Sequence, residues 1–405
     1  MKIELVTRRE DLAALAQRWD ELAHEDPRDG FFRTSGWYLS WIDHVRPDAQ
    51  PFVVVARDSS DEIVGLAPLC RVTHRDHWLP MDGVSTAGRE VVSGDFLDYL
   101  ATADAKTQVL PAILDFLWEV RSRWGLLIVG EVAENGDLRR AVESFAERMG
   151  LPLRVQEERV CPYIEMPATF DEYLASFSTK RRHELKRQMR VLLEKSGAQV
   201  EVCTEPQQVA GNLDILIQLH AGRWNRANQS GNMGRPGFVR FLKHTCAEPP
   251  AGASPRLYLL RHEQKPVAAL LIFYFGQSAL LYSMGWDPES AVAQLSPGIC
   301  LVAWSIRDAV EHGVKYFDFL RGDEAYKGHL TKSTRKTVTL LVGRSPSARA
   351  YLQALSLKDL IKRRFPAGWS RLTGPSDPRP RKVRTEVRGR ATISAEPDMK
   401  TDATV

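Results

Sequence analysis

The sequence has 405 residues, of which 43% are hydrophobic and 26% charged, and its formal net charge is +4. This length exceeds what one hydrophobic core normally supports, so we predict a globular protein of two domains. The near-balanced charge gives no reason to expect nucleic acid as the main partner. The N-terminus, MKIELVTRREDLAAL, has no apolar leader, and the most apolar stretch is interrupted at Gly276. We therefore expect a cytoplasmic protein without a membrane-spanning helix.

Cysteine and histidine spacing predicts neither a disulfide framework nor a metal site. The five cysteines show no Cys-x-x-Cys spacing, which in a cytoplasmic protein indicates reduced, buried thiols. His74 and His77 lack both the i, i+4 spacing and a nearby third ligand, so we expect no metal. A P-loop sequence is also absent, which argues against phosphoryl transfer.

Two stretches near the start of the chain recur in the same order near its middle. IELVTRREDL (3–12) has the apolar pattern of VEVCTEPQQV (200–209), and both predict a strand, a turn and a helix. PFVVVARDSSDEIVGLAPL (51–69) corresponds to RLYLLRHEQKPVAALLI (256–272). Each of these predicts two strands joined by a short polar turn.

A third pair combines a helix, a glycine and a strand. AILDFLWEVRSRW leads through Gly125 into LLIVGEV, and GICLVAWSIRDAVEH leads through Gly313 into VKYFDFL. Each glycine is predicted to end its helix with a positive φ angle. Three matched pairs in one order predict that the chain contains two copies of one mixed α/β unit.

The predicted organisation is an N-terminal copy, a connecting segment, a C-terminal copy, a helical segment and a disordered tail, at 1–162, 163–197, 198–345, 346–373 and 374–405. The connecting segment contains FSTKRRHELKRQMRVLLEKSG, with apolar residues at helical spacing and seven Lys or Arg against two Glu. Ser178 or Thr179 is expected to cap this basic helix. The tail has little apolar content, which is typical of disorder.

The stretch QLSPGICLVAW (294–304) predicts a helix start that suits an anion. Ser296 is a favourable N-cap residue, Pro297 suits the first helical position, and Gly298 allows close approach to the backbone. A helix N-terminus offers free amides and a positive dipole to a phosphate. The alternative is an ordinary well-capped helix.

Three motifs carry a resemblance to a known family: FSTKRRHELKRQMR (177–190), QLSPG after GWDPE, and above all FDFLRGDEAYK (317–327). On these residues the chain resembles the GNAT-superfamily acetyltransferases found beside bacterial cellulose and exopolysaccharide synthesis genes. That family is similar to the Fem-type aminoacyl transferases, which are also tandem GNAT repeats, and GDFLDYL (94–100) fits the first copy. The resemblance implies an α/β, tandem duplicated GNAT fold with mixed central sheets flanked by helices.

The resemblance also implies an acyltransferase reaction. Acetyl-CoA, as cosubstrate, would acylate an amine acceptor, for example an amino sugar or amino acid in envelope polysaccharide synthesis. Its pyrophosphate would bind the amides near Ser296, Pro297, Gly298 and Ile299. The first copy lacks a comparable helix start ahead of Ala112, so we expect it to be degenerate and to shape the acceptor cleft.

The chemistry requires a base or water path, an acid for the thiolate and donors for the tetrahedral oxyanion. The candidate catalytic residues are Asp318, Asp323 and Tyr326, with Tyr282 as a second candidate acid. Arg321 and Lys327 are candidates for binding a substrate anion, with a solvated salt-bridge cluster as the alternative. Arg181 and Arg182, on the basic helix, are further candidates for a lipid phosphate, a sugar nucleotide or an anionic membrane, unless that helix simply faces water.

Two alternatives stay open at this stage. One is Fem-type aminoacyl transfer, in which the basic helix would hold charged tRNA. The other is a noncatalytic scaffold that keeps the fold without its chemistry. The tripeptide Arg-Gly-Asp at 321–323 suggests cell adhesion. Adhesion needs an extracellular location, however, and the position after a repeated strand favours a substrate role.

Overall fold

The computed structural model describes residues 1–76, 79–89, 91–226 and 232–364. The predicted disordered tail and His77 lie outside these ranges. The strands are β1 (Lys2–Val6), β2 (Gln50–Arg57), β3 (Ile63–Asp76), β4 (Leu79–Thr86), β5 (Leu100–Ala101), β6 (Leu126–Ala133), β7 (Leu153–Glu165), β8 (Gln199–Cys203), β9 (Ala253–His262), β10 (Lys265–Phe275), β11 (Ser278–Trp286), β12 (Tyr316–Asp318) and β13 (Thr334–Gly343). The α-helices are α1 (Arg9–Leu12), α2 (Ala16–His24), α3 (Ser35–His44), α4 (Lys106–Glu119), α5 (Asp137–Arg148), α6 (Phe170–Ala175), α7 (Thr179–Arg190), α8 (Pro206–Arg226), α9 (Pro236–Ala247), α10 (Pro297–Glu311), α11 (Ala325–Gly328) and α12 (Pro346–Arg364).

The two copies share one order of elements, as the repeats predict. The first copy runs from β1 through helices to β2, β3, β4, α4, β6 and β7. The second runs from β8 through helices to β9, β10, β11, α10, β12 and β13. The prediction of a tandem duplicated α/β fold is confirmed.

The last strand of each copy is exchanged with the other copy. The strand order of the sheet is β1-β2-β3-β4-β6-β13-β7-β12-β11-β10-β9-β8. Strand β13 of the second copy therefore pairs with β6 of the first, and β7 of the first copy pairs with β12 of the second. The two exchanged strands also pair with each other, antiparallel, from Thr334 against Pro162 to Val342 against Leu153. Each half of the sheet is thus completed by the opposite copy.

Strand β10 shows why the second copy needs helices on both faces of its sheet. Its sequence KPVAALLIFYF is apolar on both sides of the pleat and is buried from Val267 to Phe275. Leu271 and Phe273 enter the core beneath α8 and α9, whereas Leu270 and Ile272 enter the core beneath α10. Such a two-sided apolar strand is stable only when both faces are covered.

The core beneath α8 and α9 is shared between the copies. Trp37 of α3, in the first copy, meets Phe241 of α9, in the second, at a ring-centroid distance of 4.8 Å. Phe31 stacks on Phe273 of β10 at 4.7 Å. Because aromatic side chains bury large apolar areas, this shared core and the exchanged strands fuse the copies into one folded unit.

The two glycines predicted to end helices differ in conformation. Gly313 has φ 69° as predicted, but Gly125 does not adopt a positive φ, and the prediction for it is wrong. A Cβ at Gly125 would lie 2.7 Å from Ser345 Oγ. Glycine is therefore required at this position because two segments of the chain approach each other closely.

All five cysteines are free and buried, as predicted. Within the described ranges, no helix combines the length and the apolar content needed to cross a bilayer.

Candidate functional site

The strands β11 and β12 separate soon after they begin to pair. Their parallel pairing covers only Ser278 with Tyr316, Ala279 with Phe317 and Leu280 with Asp318. Beyond Leu280, β11 continues to Trp286 and pairs only with β10 among the described residues. The sheet therefore opens at this point. Ten residues, 287–296, separate the end of β11 from the start of α10.

The start of α10 presents free backbone amides, but its cap differs from the prediction. Ser296 adopts a left-handed conformation, φ 54° and ψ 59°, and its side chain makes no capping hydrogen bond. Its carbonyl instead accepts a hydrogen bond from the Cys300 amide at 3.1 Å. Pro297 has no N–H group, so Gly298 and Ile299 supply the two unpaired amides that a helix N-terminus leaves. The prediction of a side-chain cap at Ser296 is wrong, whereas a helix starting at Pro297 is confirmed.

Arg181 lies close to the first turn of α10. Its Nε and Nη2 atoms are buried and have no hydrogen-bond partner among the described residues. Burial raises the pKa of the Cys300 thiol to about 12, and the positive charge of Arg181 acts against this rise. Buried N–H groups without a hydrogen-bond partner are costly, so an anion bound to Nε and Nη2 would remove an energetic penalty as well as form new contacts.

A cavity of about 210 Å³ lies at the end of β11. It is lined by Leu219 and Gln218 of α8 and by Trp286 and Asp287 at the end of β11. Trp286 also contacts the start of α10, since a Cβ at Gly298 would lie 3.4 Å from its ring. Trp286 is thus the residue that lines the cavity and also contacts the start of α10.

The corresponding place in the first copy is closed. Strands β4 and β6 also pair in parallel over three residue pairs, ending at Ser85 with Ile128. Beyond that point Thr86 Oγ1 accepts a hydrogen bond from Gly130 N at 3.2 Å, and Arg89 packs on Gly130. Leu97 N then donates to the Glu131 carbonyl at 2.8 Å. The chain that follows β4 therefore fills the gap between β4 and β6, whereas the equivalent gap between β11 and β12 stays open.

Asp318, a candidate base, is buried at the point where β11 and β12 separate. One oxygen accepts a hydrogen bond from Leu320 N at 2.7 Å and the other from Arg335 Nη2 at 2.6 Å. Arg335 also forms a bidentate pair with Asp29 of the first copy, at 2.7 and 2.9 Å. Burial raises the pKa of Asp318, although Arg335 lowers it. The hydrogen bond from Leu320 N to Asp318 accompanies a left-handed backbone conformation at Leu320, with φ 55°. A catalytic role for Asp318 stays a prediction.

Arg321, a candidate anion-binding residue, joins the two copies. Its Nε donates to Asp95 Oδ1 at 2.6 Å, its Nη1 to Glu131 Oε1 at 3.0 Å, and its Nη2 to the Gly94 carbonyl. Burial opposes its charge, yet Asp95 and Glu131 raise the pKa of Arg321. Burial also raises the pKa of Asp95 to about 6, against the lowering effect of Arg321. With its donors bound to protein oxygens, the guanidinium is placed for a structural role, and substrate binding by Arg321 stays a prediction.

Lys327 is buried within its own motif. Its Nζ donates to the carbonyls of Leu320 at 3.2 Å and Arg321 at 2.8 Å, and it pairs with Glu324 at 2.9 Å. Asp323 is exposed and Tyr326 is half-buried. Tyr326 packs against the core beneath α10, on the same side of the sheet as the start of that helix.

The remaining candidates lie on α7 and in the shared core. Ser178 Oγ accepts a hydrogen bond from Arg181 N at 3.3 Å, so the predicted cap of α7 is confirmed. Arg182 is only partly exposed. Tyr282 donates to the Val92 carbonyl at 2.7 Å, and burial raises its pKa well above the ordinary value.

Four residues of the buried charge network were missed from the sequence: Asp29, Asp95, Glu131 and Arg335. Each arginine of the network lies between two carboxylates, Arg321 between Asp95 and Glu131, and Arg335 between Asp29 and Asp318. The one available signal was GDFLDYL (94–100), which shares a pattern with FDFLRGD (317–323) and contains Asp95. The described residues contain no cluster of three or more His, Cys, Asp or Glu that could hold a metal ion.

Comparisons with known proteins agree with this geometry. Residues 179–328, from the first residue of α7 to the last of α11, match the family model described as Acetyltransferase (GNAT) domain. No curated protein matches the chain. A crystal structure of FemX is similar at 11% identity and a TM-score of 0.57, covering 84% of this chain and 97% of FemX. A conserved protein of unknown function from Bacteroides thetaiotaomicron is similar at 12% identity and a TM-score of 0.53, covering 85% of this chain and 100% of that protein.

The similarities to solved structures establish the fold over most of the chain, and the family match identifies the second copy more closely. That match includes the separated strands β11 and β12, the start of α10 and the motif FDFLRGDEAYK. Residues 179–328 therefore form an acetyltransferase (GNAT) domain, and the protein is an enzyme of the acyl-CoA-dependent acyltransferase type.

Proposed function

We propose that the second copy transfers an acetyl group from acetyl-CoA to the amine of an amino sugar or amino acid used in envelope polysaccharide synthesis. The acyltransferase class follows from the domain match. The choice of acetyl, of this acceptor and of a cytoplasmic location in a bacterium rests on the family resemblance of the three sequence motifs.

The observation that carries the proposal is the combination of the α10 start with Arg181. The amides of Gly298 and Ile299 point out of the helix N-terminus, where the helix dipole favours an anion. Arg181 is half-buried and adds two buried guanidinium nitrogens, Nε and Nη2, that have no hydrogen-bond partner among the described residues. A pyrophosphate suits both, because it is a dianion that accepts hydrogen bonds from amides and from arginine. CoA bound in this way would direct its thioester toward the opening between β11 and β12.

Calorimetric titration with acetyl-CoA tests this site. We expect Arg181→Gln to weaken binding by about tenfold or more, because charge-assisted hydrogen bonds contribute roughly 1.5 to 3 kcal/mol. Arg187→Gln is the matched control, since Arg187 lies on the same helix but is exposed and pairs with Glu184. Gly298→Glu should also weaken binding, because it adds a negative charge at the helix start. Unchanged affinity in both site variants would remove acetyl-CoA from this position.

An acceptor screen tests the reaction itself. Thiol release from acetyl-CoA should be stimulated by one amino sugar or amino acid in a panel, and longer acyl-CoA donors should test the choice of acetyl. A panel that gives no thiol release while acetyl-CoA still binds would favour the noncatalytic scaffold.

A second candidate function, aminoacyl transfer from charged tRNA, is favoured by the basic face of α7. Lys180, Lys186 and Arg190 are exposed on this helix, and basic side chains that neutralise phosphates make binding strongly dependent on salt. Charge reversal at Arg182, Lys186 and Arg187 should abolish tRNA binding under this candidate. Under the acetyl-CoA proposal the same variant should bind acetyl-CoA with unchanged affinity.

A further inference from the structure

The end of α12 exposes large apolar side chains to solvent. Leu357 is 57% exposed, Leu360 62% and Ile361 40%. The spacing i, i+3, i+4 places the three side chains on one face of the helix. Most large apolar residues of the described chain are buried, so this apolar strip on α12 is a distinct surface feature.

The first half of α12 is firmly attached to the body of the protein. Ala348 and Leu352 are buried in a small core together with Met81, Leu126 and Leu341. Further along, Asp359 forms an ion pair with Arg154 of β7, and Arg154 also contacts Ser356 Oγ at 3.3 Å. The apolar strip is therefore held in a fixed position on a helix that packs against the sheet.

Positive charge is concentrated in and after this helix. The stretch 358–390 contains eleven Lys or Arg and three Asp or Glu, although the whole chain has a net charge of only +4. The rest of the sequence is therefore net negative. An apolar strip followed at once by a polybasic stretch is typical of segments that bind an anionic membrane surface.

We propose that the α12 strip and the basic stretch after it dock the protein onto an anionic lipid surface. Three side chains supply far less area than the roughly 800 Å² per partner that a stable protein interface buries, so a second copy of the chain fits this surface poorly. A membrane needs only shallow insertion of the apolar residues, because the basic stretch contributes attraction to lipid phosphates. The proposal does not depend on the acyl donor or acceptor.

Sedimentation of the full chain with lipid vesicles tests this proposal. We expect binding to vesicles of phosphatidylglycerol and phosphatidylcholine, weaker binding in high salt and none to phosphatidylcholine alone. Replacing Leu357, Leu360 and Ile361 together by Ser should weaken binding by about tenfold or more. Val155→Ser is the matched control, because Val155 is 41% exposed but lies on β7, outside the strip. A second variant with Arg379, Arg381, Lys382 and Arg384 changed to Gln should also bind more weakly.

The thermal midpoint and the size-exclusion profile of each variant complete the test. The account requires the Ser variant to keep its midpoint and its oligomeric state while it loses vesicle binding. The proposal is overturned if the wild-type chain does not bind anionic vesicles or if the Ser variant binds as well as wild type. It is equally overturned if the wild-type chain is a dimer that the Ser variant dissociates, because the strip would then bind a second copy.

Discussion

The two copies have the same succession of strands and helices, yet only the second leaves its central strands apart. In the first copy, the segment between β4 and α4 spans 87–105 and closes the gap through Thr86, Arg89 and Leu97. In the second copy, ten residues join β11 to α10 and the gap stays open. The segment that follows the last strand before the gap therefore decides whether the gap is filled or left open.

The closed copy still contributes to the open one. Its residues Asp29, Asp95 and Glu131 bind the two arginines that flank the end of β12. Its strand β7 also completes the half of the sheet that contains β11 and β12. The first copy thus holds the edge of the candidate site in place.

The largest expected effect follows from separating the copies. A cut after Pro167, between β7 and α6, leaves each half without the strand that normally completes its sheet. We expect 1–167 and 168–364 to be insoluble or unfolded when expressed singly, because unpaired strand edges aggregate. Coexpressed halves should copurify and give one cooperative thermal transition. A soluble, cooperatively melting single half would contradict the account of exchanged strands.

Removing Arg321 should cause the next largest effect. Arg321→Met leaves the buried carboxylates of Asp95 and Glu131 without their counter-charge, a change that typically costs about 3 to 5 kcal/mol. Chemical denaturation measures the loss in the free energy of unfolding. The control is Arg307→Met, whose exposed pair with Glu311 should contribute less than about 1 kcal/mol. Equal losses in the two variants would show that the junction between copies does not depend on this network.

The pH dependence of stability should identify Asp95 within the network. Its pKa of about 6 in the folded protein exceeds the ordinary value of 3.8, so the folded state binds this proton more tightly than the unfolded state. The free energy of unfolding should therefore decrease as pH rises from about 4 to 6. The decrease attributable to Asp95 is on the order of 2 kcal/mol. Asp95→Asn should remove that part of the slope, and an unchanged slope would contradict the assignment.

Lys327→Met should have a smaller effect and distinguishes two roles for this residue. If Lys327 only donates hydrogen bonds to the carbonyls of Leu320 and Arg321, its role is structural. The variant should then lose about 1 to 3 kcal/mol in the free energy of unfolding and keep its KM for the acceptor. If Lys327 binds a substrate anion, the KM should rise with little change in thermal stability. The structural contacts favour the first outcome.

The sequence predicted the repeats well, because each repeated element has its own local pattern. Apolar alternation in 51–69 and 256–272 identified paired strands, and Pro297 marked the start of α10 correctly. The exchange of β7 and β13 could not be predicted, since the pairing of a strand depends on residues distant in sequence. The roles of Arg321 and Asp95, which are 226 residues apart, depend on that exchange.

Local signals also failed where distant contacts decide the conformation. Ser296 has the sequence signature of a side-chain cap, yet it adopts a left-handed conformation and caps through its carbonyl. The sequence made Arg181 and Arg182 candidates for binding an anionic substrate, but it could not distinguish one from the other. Only the folded structure shows that two of its nitrogens are buried beside the start of α10.

Hydrogen–deuterium exchange with and without acetyl-CoA tests the central claim that only the second copy has an open donor site. We predict that acetyl-CoA slows exchange at the amides of Gly298, Ile299 and Cys300 and leaves the first turn of α4, from Lys106, unchanged. The Arg181→Gln variant should lose most of this protection at the same acetyl-CoA concentration. Protection at the start of α4, or none at the start of α10, would contradict the account.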